Sequence, residues 1–482
     1  MTSAKLCYFF GLNKNNENLT DGDATLKDLL GGKGANLAEM AKLGFPVPPG
    51  FTITTDVCTE YYNNNEKYPA ELSTQAEESL KKIEECMGLE FGSETNPLLV
   101  SVRSGARVSM PGMMDTILNL GLNDQSVVGL ANQSKNERFA YDCYRRFIQM
   151  YSDVVLGIHV SRFESVLESL KEKRQINKDS EIEAKDLKKL CEYFKDIVLE
   201  ESGAAFPQEP KDQLWGAIGA VFSSWKAPRA MHYRKMEQIP HEWGTAVNVQ
   251  SMVYGNLNEN SGTGVCFTRN PSTGENLFYG EYLTNAQGED VVSGIRTPHP
   301  ITKVDGNKAG LISLEEEMPE VYKELAELRI KLEKHYSEMQ DIEFTMQDRR
   351  LFLLQTRKGK RTAQAAVKIA VDMVAEGLIT ETQAIMSVDP YSIDQLLHPR
   401  LDPKQKGVAV AKGLPASPGA VSGQVVFSSA KAAEWAESGK RVILVRHETS
   451  PEDIVGMDAS AGILTALGGM TSHAAVVARG MG

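Results

Sequence analysis

Asp341-Ile342-Glu343-Phe344-Thr345 and Leu351-Phe352-Leu353-Leu354-Gln355-Thr356-Arg357, joined through Asp348-Arg349-Arg350, are the segments on which the fold turns. The first alternates strictly, as a half-buried strand does: Asp341, Glu343 and Thr345 share one face, Ile342 and Phe344 the other. The polar triplet after it predicts a turn, and the second segment predicts the partner strand, with Gln355 and Arg357 on one face. If the polar faces meet, two carboxylates, an amide and a guanidinium gather in one place. Oxygen ligands beside an arginine suit a magnesium–polyphosphate complex. A solvated hairpin face of mixed charge is the plainer alternative. Gln and Arg ending an otherwise apolar strand favour the ligand reading.

Upstream of this pair, residues 320–339 predict a helix, and 244–253, 264–268 and 276–282 predict strands, with Arg269-Asn270-Pro271-Ser272-Thr273-Gly274 as a turn. Ala286-Gln287-Gly288-Glu289-Asp290 reads as a solvated polar loop. Residues 123–234 are helical in pattern, and Phe139, Tyr144, Phe147, Met150, Tyr151 and Val154 form a core stripe. Downstream, 362–377 predicts an alanine-rich helix, and 396–407, with Pro399 and Pro403, predicts a linker. A small domain should follow. It has strands at 408–414, 419–427, 441–445 and 462–465 and a helix at 430–438. The alternation of the two element types over 482 residues makes the chain an α/β multidomain protein.

Three further stretches carry candidate chemistry. Gly31-Gly32-Lys33-Gly34 precedes a helix over 35–43. A glycine-rich turn with a lysine can hold phosphate, but the Walker A spacing is absent, and a flexible turn with a solvated lysine fits equally well. Leu98-Leu99-Val100-Ser101-Val102-Arg103 predicts a buried strand whose exit carries Arg103, a position suited to an anion ligand. The irregular loop through Met110-Pro111-Gly112-Met113-Met114-Asp115 has the look of a site cover. Last comes Gly468-Gly469-Met470-Thr471-Ser472-His473-Ala474-Ala475-Val476-Val477-Ala478-Arg479. Thr471 or Ser472 should cap a helix that sets His473 in its first turn, where the dipole keeps an imidazole neutral and free N–H groups can hold an anion. Both a phosphoryl-accepting histidine and a capped helix with an incidental histidine satisfy the local pattern.

Composition narrows the class. A formal net charge of -12 makes a poor nucleic-acid surface, so a polyanionic ligand must meet a local basic site. The 6 cysteines are scattered, without the spacing of a zinc site or a disulfide framework, which points to a reducing, cytoplasmic setting. No apolar run reaches membrane-spanning length. The sequence closes within a few residues of the His473 helix start, as a fragment or truncated product would.

Taken in order, Gly-Gly-Lys-Gly at 31–34, Ser-Val-Arg-Ser-Gly at 101–105, Ser-Met-Pro-Gly-Met-Met-Asp at 109–115, Leu-Gln-Thr-Arg at 354–357 and Gly-Gly-Met-Thr-Ser-His at 468–473 resemble the pyruvate, phosphate dikinase family. Phe-Pro-Gln-Glu-Pro-Lys at 206–211 and Thr-Ser-Pro-Glu-Asp at 449–453 add to the likeness. The resemblance implies an ATP-grasp-like nucleotide-binding domain over 1–360, with a helical insertion at about 123–234. It implies a helical linker over 361–406 and a swivelling phosphohistidine domain over 407–482, incomplete at its C-terminus. A pyruvate-binding barrel should follow and is absent from these 482 residues. The implied reaction converts ATP, phosphate and pyruvate to AMP, pyrophosphate and phosphoenolpyruvate through pyrophospho- and phosphohistidine at His473. The resemblance implies that Lys33, Arg103 and Arg357 neutralise phosphates, that Gln250 and Met252 contact the nucleotide, and that Glu343 and Gln355 hold Mg²⁺ with Asp341 nearby. Thr471 resembles a regulatory phosphorylation position, and the intact enzyme is implied to be a homodimer. A silent nucleotide-binding fragment and another phosphohistidine transferase, such as phosphoenolpyruvate synthase or an antibiotic phosphotransferase, stay open.

Overall fold

The computed structural model describes residues 4–293, 296–393, 396, 411, 413–417 and 419–481. Two compact units emerge: Met1–Met110 with Met114–Val253, and Pro111–Met113 with Tyr254–Gly482. The boundary between them falls within the stretch 1–360 that the sequence presents as one nucleotide-binding domain. Most of the linker expected at 396–407, and most of the strand expected at 408–414, lie outside the described residues.

The first unit is built on strands β1 (Cys7–Phe10), β2 (Gly50–Ile53), β3 (Val100–Gly105), β4 (Thr116–Leu120) and β5 (Ala246–Ser251). They form one sheet in the order β1-β2-β5-β3-β4, every pair antiparallel. Helix α1 (Lys27–Lys42) lies against it and begins earlier than the sequence suggested, because it runs through a kink at Gly31 (φ 66, ψ 170). A side chain cannot fit there: a Cβ on Gly31 would stand 1.7 Å from the Gly105 carbonyl oxygen. Gly32 N–H donates to the Ala106 carbonyl at 2.8 Å and fastens the kink to the exit of β3. One turn on, a Cβ on Gly34 would meet Thr52 Oγ1 at 2.6 Å and Asn248 Oδ1 at 2.9 Å. The glycines therefore serve close helix–sheet packing. The helical stretch resolves into Ser126–Ser134, Glu137–Val154, Ser161–Arg174, Ala184–Ser202, Pro210–Ser224 and Pro228–Met236. Phe139, Tyr144, Phe147 and Tyr151 are buried, as their stripe requires.

In the second unit, β6 (Gly262–Phe267), β7 (Tyr279–Thr284), β8 (His299–Pro300), β9 (Gln340–Gln347) and β10 (Arg350–Lys358) form an antiparallel sheet in the order β8-β7-β6-β9-β10. Helix α2 (Pro319–Tyr336) packs on β9 and β10. Helix α3 (Ala363–Ala375) packs against Val265, Phe267, Leu283 and Met339. The Arg269 side chain is fully buried and grips Glu333 of α2 (Nε 2.9 Å, Nη2 3.0 Å) and Glu376 just past α3 (Nη1 3.0 Å, Nη2 2.5 Å). Its desolvation is offset only because the fork finds two carboxylates. The small parallel sheet β11 (Gln424–Val426), β12 (Val442–Arg446), β13 (Gly462–Thr465) follows, with helix α4 (Ser429–Glu437) between β11 and β12. Helix α5 (His473–Met481) comes after β13.

Residues 286–290 differ from the solvated loop expected. Ala286 and Gln287 are buried, Gln287 N–H donates to Asp290 Oδ2 at 2.8 Å, and Gly288–Ser293 is a short helix. Local polarity hid this because Ala286 is fastened from far away: its carbonyl accepts from Thr263 Oγ1 and its N–H donates to the Gly255 carbonyl.

Gly31→Ala should destabilise the first unit by about 3 kcal/mol, from left-handed strain plus overlap with backbone. Gly44→Ala, also at positive φ (75) but with nothing within 4 Å, should cost about 1 kcal/mol. Urea unfolding of both variants measures the difference, and equal losses would contradict the packing role of Gly31.

Candidate functional site

In the first unit the register sets a polar row across four strands. Thr52 faces Asn248, Asn248 faces Arg103, and Arg103 faces Thr116. Facing residues share a side of the sheet, and Gly34 packs on Thr52 and Asn248. Helix α1, which carries half-buried Lys33, therefore covers the face that carries half-buried Arg103. Thr52 Oγ1 donates to Asn248 Oδ1 at 2.8 Å and holds the row in place. Gln250 lies two residues beyond Asn248 on the same face, 2 % exposed, its amide donating to the Pro48 carbonyl at 3.0 Å. Met252 follows β5, half-buried, its N–H on the Leu99 carbonyl at 2.9 Å. Arg103 sits inside β3, not at its exit, because β5 pairs on past it with Ser104 and Gly105.

The second unit brings the other candidates together. Asp341 faces Arg357 across the β9–β10 ladder and Glu343 faces Gln355, as their alternation required. Arg357 Nε donates to Asp341 Oδ2 at 2.7 Å, and Arg357 Nη2 stands 3.8 Å from Glu343 Oε1. Asp341 is 3 % exposed. Burial pushes its carboxyl above the usual carboxylate range, Arg357 pulls it down, and the Glu343 charge adds to the rise. Immediately past Glu343 the register shifts, so Phe344 faces Leu353 and Leu354 is bulged out. Glu343 and Gln355 thus stand side by side at an irregularity, two oxygen donors beside a guanidinium. No group of three or more His, Cys, Asp or Glu gathers as a metal cage among the described residues. Glu343 and Gln355 supply a carboxylate and an amide oxygen, hard donors of the kind Mg²⁺ takes together with substrate phosphates, so the donor set fits that ion.

The same sheet face receives the histidine segment. Glu281 of β7 faces Val265, and Val265 faces Glu343. Thr471 Oγ1 donates to Glu281 Oε2 at 2.8 Å, and Met470 N–H reaches Glu281 Oε1 at 3.4 Å. The Arg479 guanidinium lies 5.7 Å from the centroid of the Phe267 ring, and Phe267 faces Asp341. Ser472, not Thr471, serves the helix start, its carbonyl accepting from Val476 N–H at 3.0 Å. Thr471 is 3 % exposed and spends its hydroxyl on Glu281.

His473 is the first residue of α5. Its Nδ1 is 3.0 Å from Thr449 Oγ1, while Nε2 has no hydrogen-bond partner among the described residues. Burial lowers its pKa from 6.5, against the pull of Asp453 and Glu452. A neutral ring with one nitrogen fixed and the other unengaged has the chemistry of a nucleophile. Gly112 lies over the ring, where a Cβ would stand 3.2 Å from His473 Cδ2 and 3.0 Å from Pro451 Cγ. Sequence reasoning missed Thr449 as a partner of the histidine, and it missed Glu281 and Arg479. The first had a trace in the 449–453 motif; the other two are set by packing alone.

Comparison with known proteins decides the family. The family described as "Pyruvate phosphate dikinase, AMP/ATP-binding domain" matches residues 27–73, 65–317 and 301–378. The one described as "PEP-utilising enzyme, mobile domain" matches 439–482. The chain belongs to the pyruvate, phosphate dikinase family. It is 58% identical over 465 residues to a pyruvate, phosphate dikinase of Clostridium symbiosum, covering 96% of this chain and 52% of that protein. It is 55% identical over 481 residues to one of Rhizobium meliloti, covering 99% and 53%. A chloroplastic pyruvate, phosphate dikinase 1 of Arabidopsis thaliana is 56% identical over 465 residues, covering 96% and 47%. The chain spans about half the length of the curated relatives it matches. Among the described residues, no helix is long and apolar enough to cross a membrane.

The folded His473 ring binds its proton more weakly than the unfolded one. Its contribution to stability is therefore whole above the unfolded pKa of about 6.5 and is lost as pH falls through the lower folded value. NMR titration of the ring should give a midpoint below 6.5; a midpoint at or above it contradicts the buried, neutral state.

Proposed function

We propose that this chain performs the nucleotide and phosphate half of the pyruvate, phosphate dikinase reaction. The observation that carries the reading is the joining of a neutral, half-buried His473 to the Asp341–Glu343–Gln355–Arg357 face through the Glu281–Thr471 contact. In this reading 1–360 is an ATP-grasp-like nucleotide-binding domain with its helical insertion at about 123–234. Residues 361–406 link it to a phosphohistidine domain, 407–482, that swings between sites.

His473 Nε2 attacks the β-phosphorus of ATP. The bond from that phosphorus to the AMP oxygen breaks, AMP leaves, and a pyrophosphoryl group stays on the ring. An oxygen of inorganic phosphate then attacks the outer phosphorus. Pyrophosphate leaves, the bridging oxygen remains on the inner phosphorus, and phosphohistidine is left to serve pyruvate. Thr449 holds Nδ1, so the lone pair at Nε2 points to the reaction. Lys33, Arg103 and Arg357 neutralise phosphate oxygens, and Gln250 and Met252 contact the nucleotide. Positioning and charge do most of the work in such transfers. Glu343 and Gln355 hold Mg²⁺, with Asp341 beside them; the ion, when bound, neutralises charge on the phosphates. A phosphate on Thr471 would replace the hydroxyl given to Glu281 with a dianion facing a carboxylate, which would undock the segment. The partners are ATP and AMP, phosphate and pyrophosphate, with pyruvate and phosphoenolpyruvate served by a barrel and the intact enzyme a homodimer. Six unpaired cysteines suit a cytoplasmic setting.

His473→Asn should abolish transfer from β-labelled ATP to the protein while ATP binding survives; undiminished labelling would sink the assignment. Arg357→Lys, which keeps a cation beside Asp341, should slow that transfer about 100-fold. An unchanged rate removes Arg357 from the site.

A further inference from the structure

Arg479 is 3 % exposed, yet most of its donors are idle. Nη2 gives one hydrogen bond to the Met470 carbonyl at 2.5 Å. Nε and Nη1 are buried with no hydrogen-bond partner among the described residues. On the facing sheet, Asp341 Oδ1 is in the same condition, since Arg357 engages only Oδ2. The two orphans share a face: the Arg479 guanidinium lies over Phe267, the cross-strand neighbour of Asp341. Leaving buried polar groups unpaired costs on the order of 1–3 kcal/mol each, more when charged, so idle donors and an idle acceptor on one face point to a ligand. Burial lowers the Arg479 pKa, against the fields of Tyr279, Asp341 and Glu281, as expected for a cation that lacks a close counter-charge.

The chemistry of the missing partner follows from what is idle. It must offer oxygens to a guanidinium fork and a hydroxyl to a carboxylate. Inorganic phosphate does both at neutral pH, with two or three acceptor oxygens and at least one P–OH. An inner phosphate of a nucleotide lacks the hydroxyl. The established use of arginine for planar, bidentate recognition of phosphate agrees with the fork geometry.

We propose that Arg479 and Asp341 form the subsite for inorganic phosphate. The inference rests on the proposed function, and deepens it: one wall of the phosphate site travels on the histidine helix, so phosphate is held only while that helix is docked on the sheet. Arg479, in the last turn of α5, is anchored through its reach back to the Met470 carbonyl, three residues before the helix begins.

The test loads the full chain with γ-labelled ATP and magnesium in the absence of phosphate, then follows release of label as pyrophosphate on adding inorganic phosphate. Arg479→Lys keeps the charge and the stem but loses the fork. It should raise the phosphate concentration for half-maximal release about tenfold or more, out of proportion to any change in label uptake. An unchanged phosphate dependence would mean that water bridges the two groups, and would overturn the proposal. A loss of uptake with unchanged phosphate dependence would assign Arg479 to the terminal phosphate of ATP and overturn it too. If the unaltered chain takes up no label, the proposed function fails instead. Calorimetric titration of inorganic phosphate into the unaltered chain and Arg479→Lys then decides the subsite alone: tighter binding to the unaltered chain supports it, and equal or absent binding refutes it. Arg479→Gln, checked for folding by near-ultraviolet circular dichroism, should show the larger effect in both assays.

Discussion

Asp341 can lie at 3 % exposure only because Arg357 reaches across the hairpin to it at 2.7 Å. That pair is the constraint on which the second unit depends. It fixes the register of β9 on β10, since any slip by one residue would send the carboxylate to the face of Ile342 and Phe344. It also commits one side of the five-stranded sheet to charge. Glu343, Gln355 and Glu281 share that side, so it cannot be closed over by an ordinary apolar layer. Helix α3 meets the apolar residues, Val265, Phe267, Leu283 and Met339. What meets the rest is the segment from Met470 to Arg479, which brings a hydroxyl, a backbone N–H and a guanidinium.

The docking is therefore polar, and polar docking can be undone. Burial raises the Glu281 pKa, while donation from Thr471 and Met470 lowers it. Specific donors to Glu281 hold this interface, as the proposed carrier role requires. The histidine itself is kept neutral by the same partial burial that lets its Nε2 stay unengaged. In the first unit the equivalent constraint is steric: Gly31 and Gly34 bring α1 against Gly105, Thr52 and Asn248, on the face of Arg103.

Much of this was legible in the residues. Strict alternation placed Asp341, Glu343, Gln355 and Arg357 on one face because strand periodicity admits no other arrangement. The aromatic stripe of Glu137–Val154 was core for the same kind of reason. The ordered motifs pointed to the family, and the matches over 27–378 and 439–482 agree. What stayed hidden depends on distant chain. The kink at Gly31 is dictated by a carbonyl more than seventy residues on, the burial of Ala286 by Thr263 and Gly255, and the partner of Thr471 by a strand 190 residues upstream. Arg479 carried no local sign at all, since a basic residue near a helix end is ordinarily a solvated complement to the dipole.

The central claim is that the His473 ring nitrogen, docked on an acidic, arginine-bearing sheet face, takes phosphorus from ATP. The most direct measurement is peptide mapping of the chain after exposure to labelled ATP and magnesium, with digestion and tandem mass spectrometry at alkaline pH, where a phosphoramidate survives and an acyl phosphate does not. The account predicts one acid-labile modification, on Nε2 of His473. A modification on a carboxylate or hydroxyl residue, or label on a histidine other than His473, would contradict it.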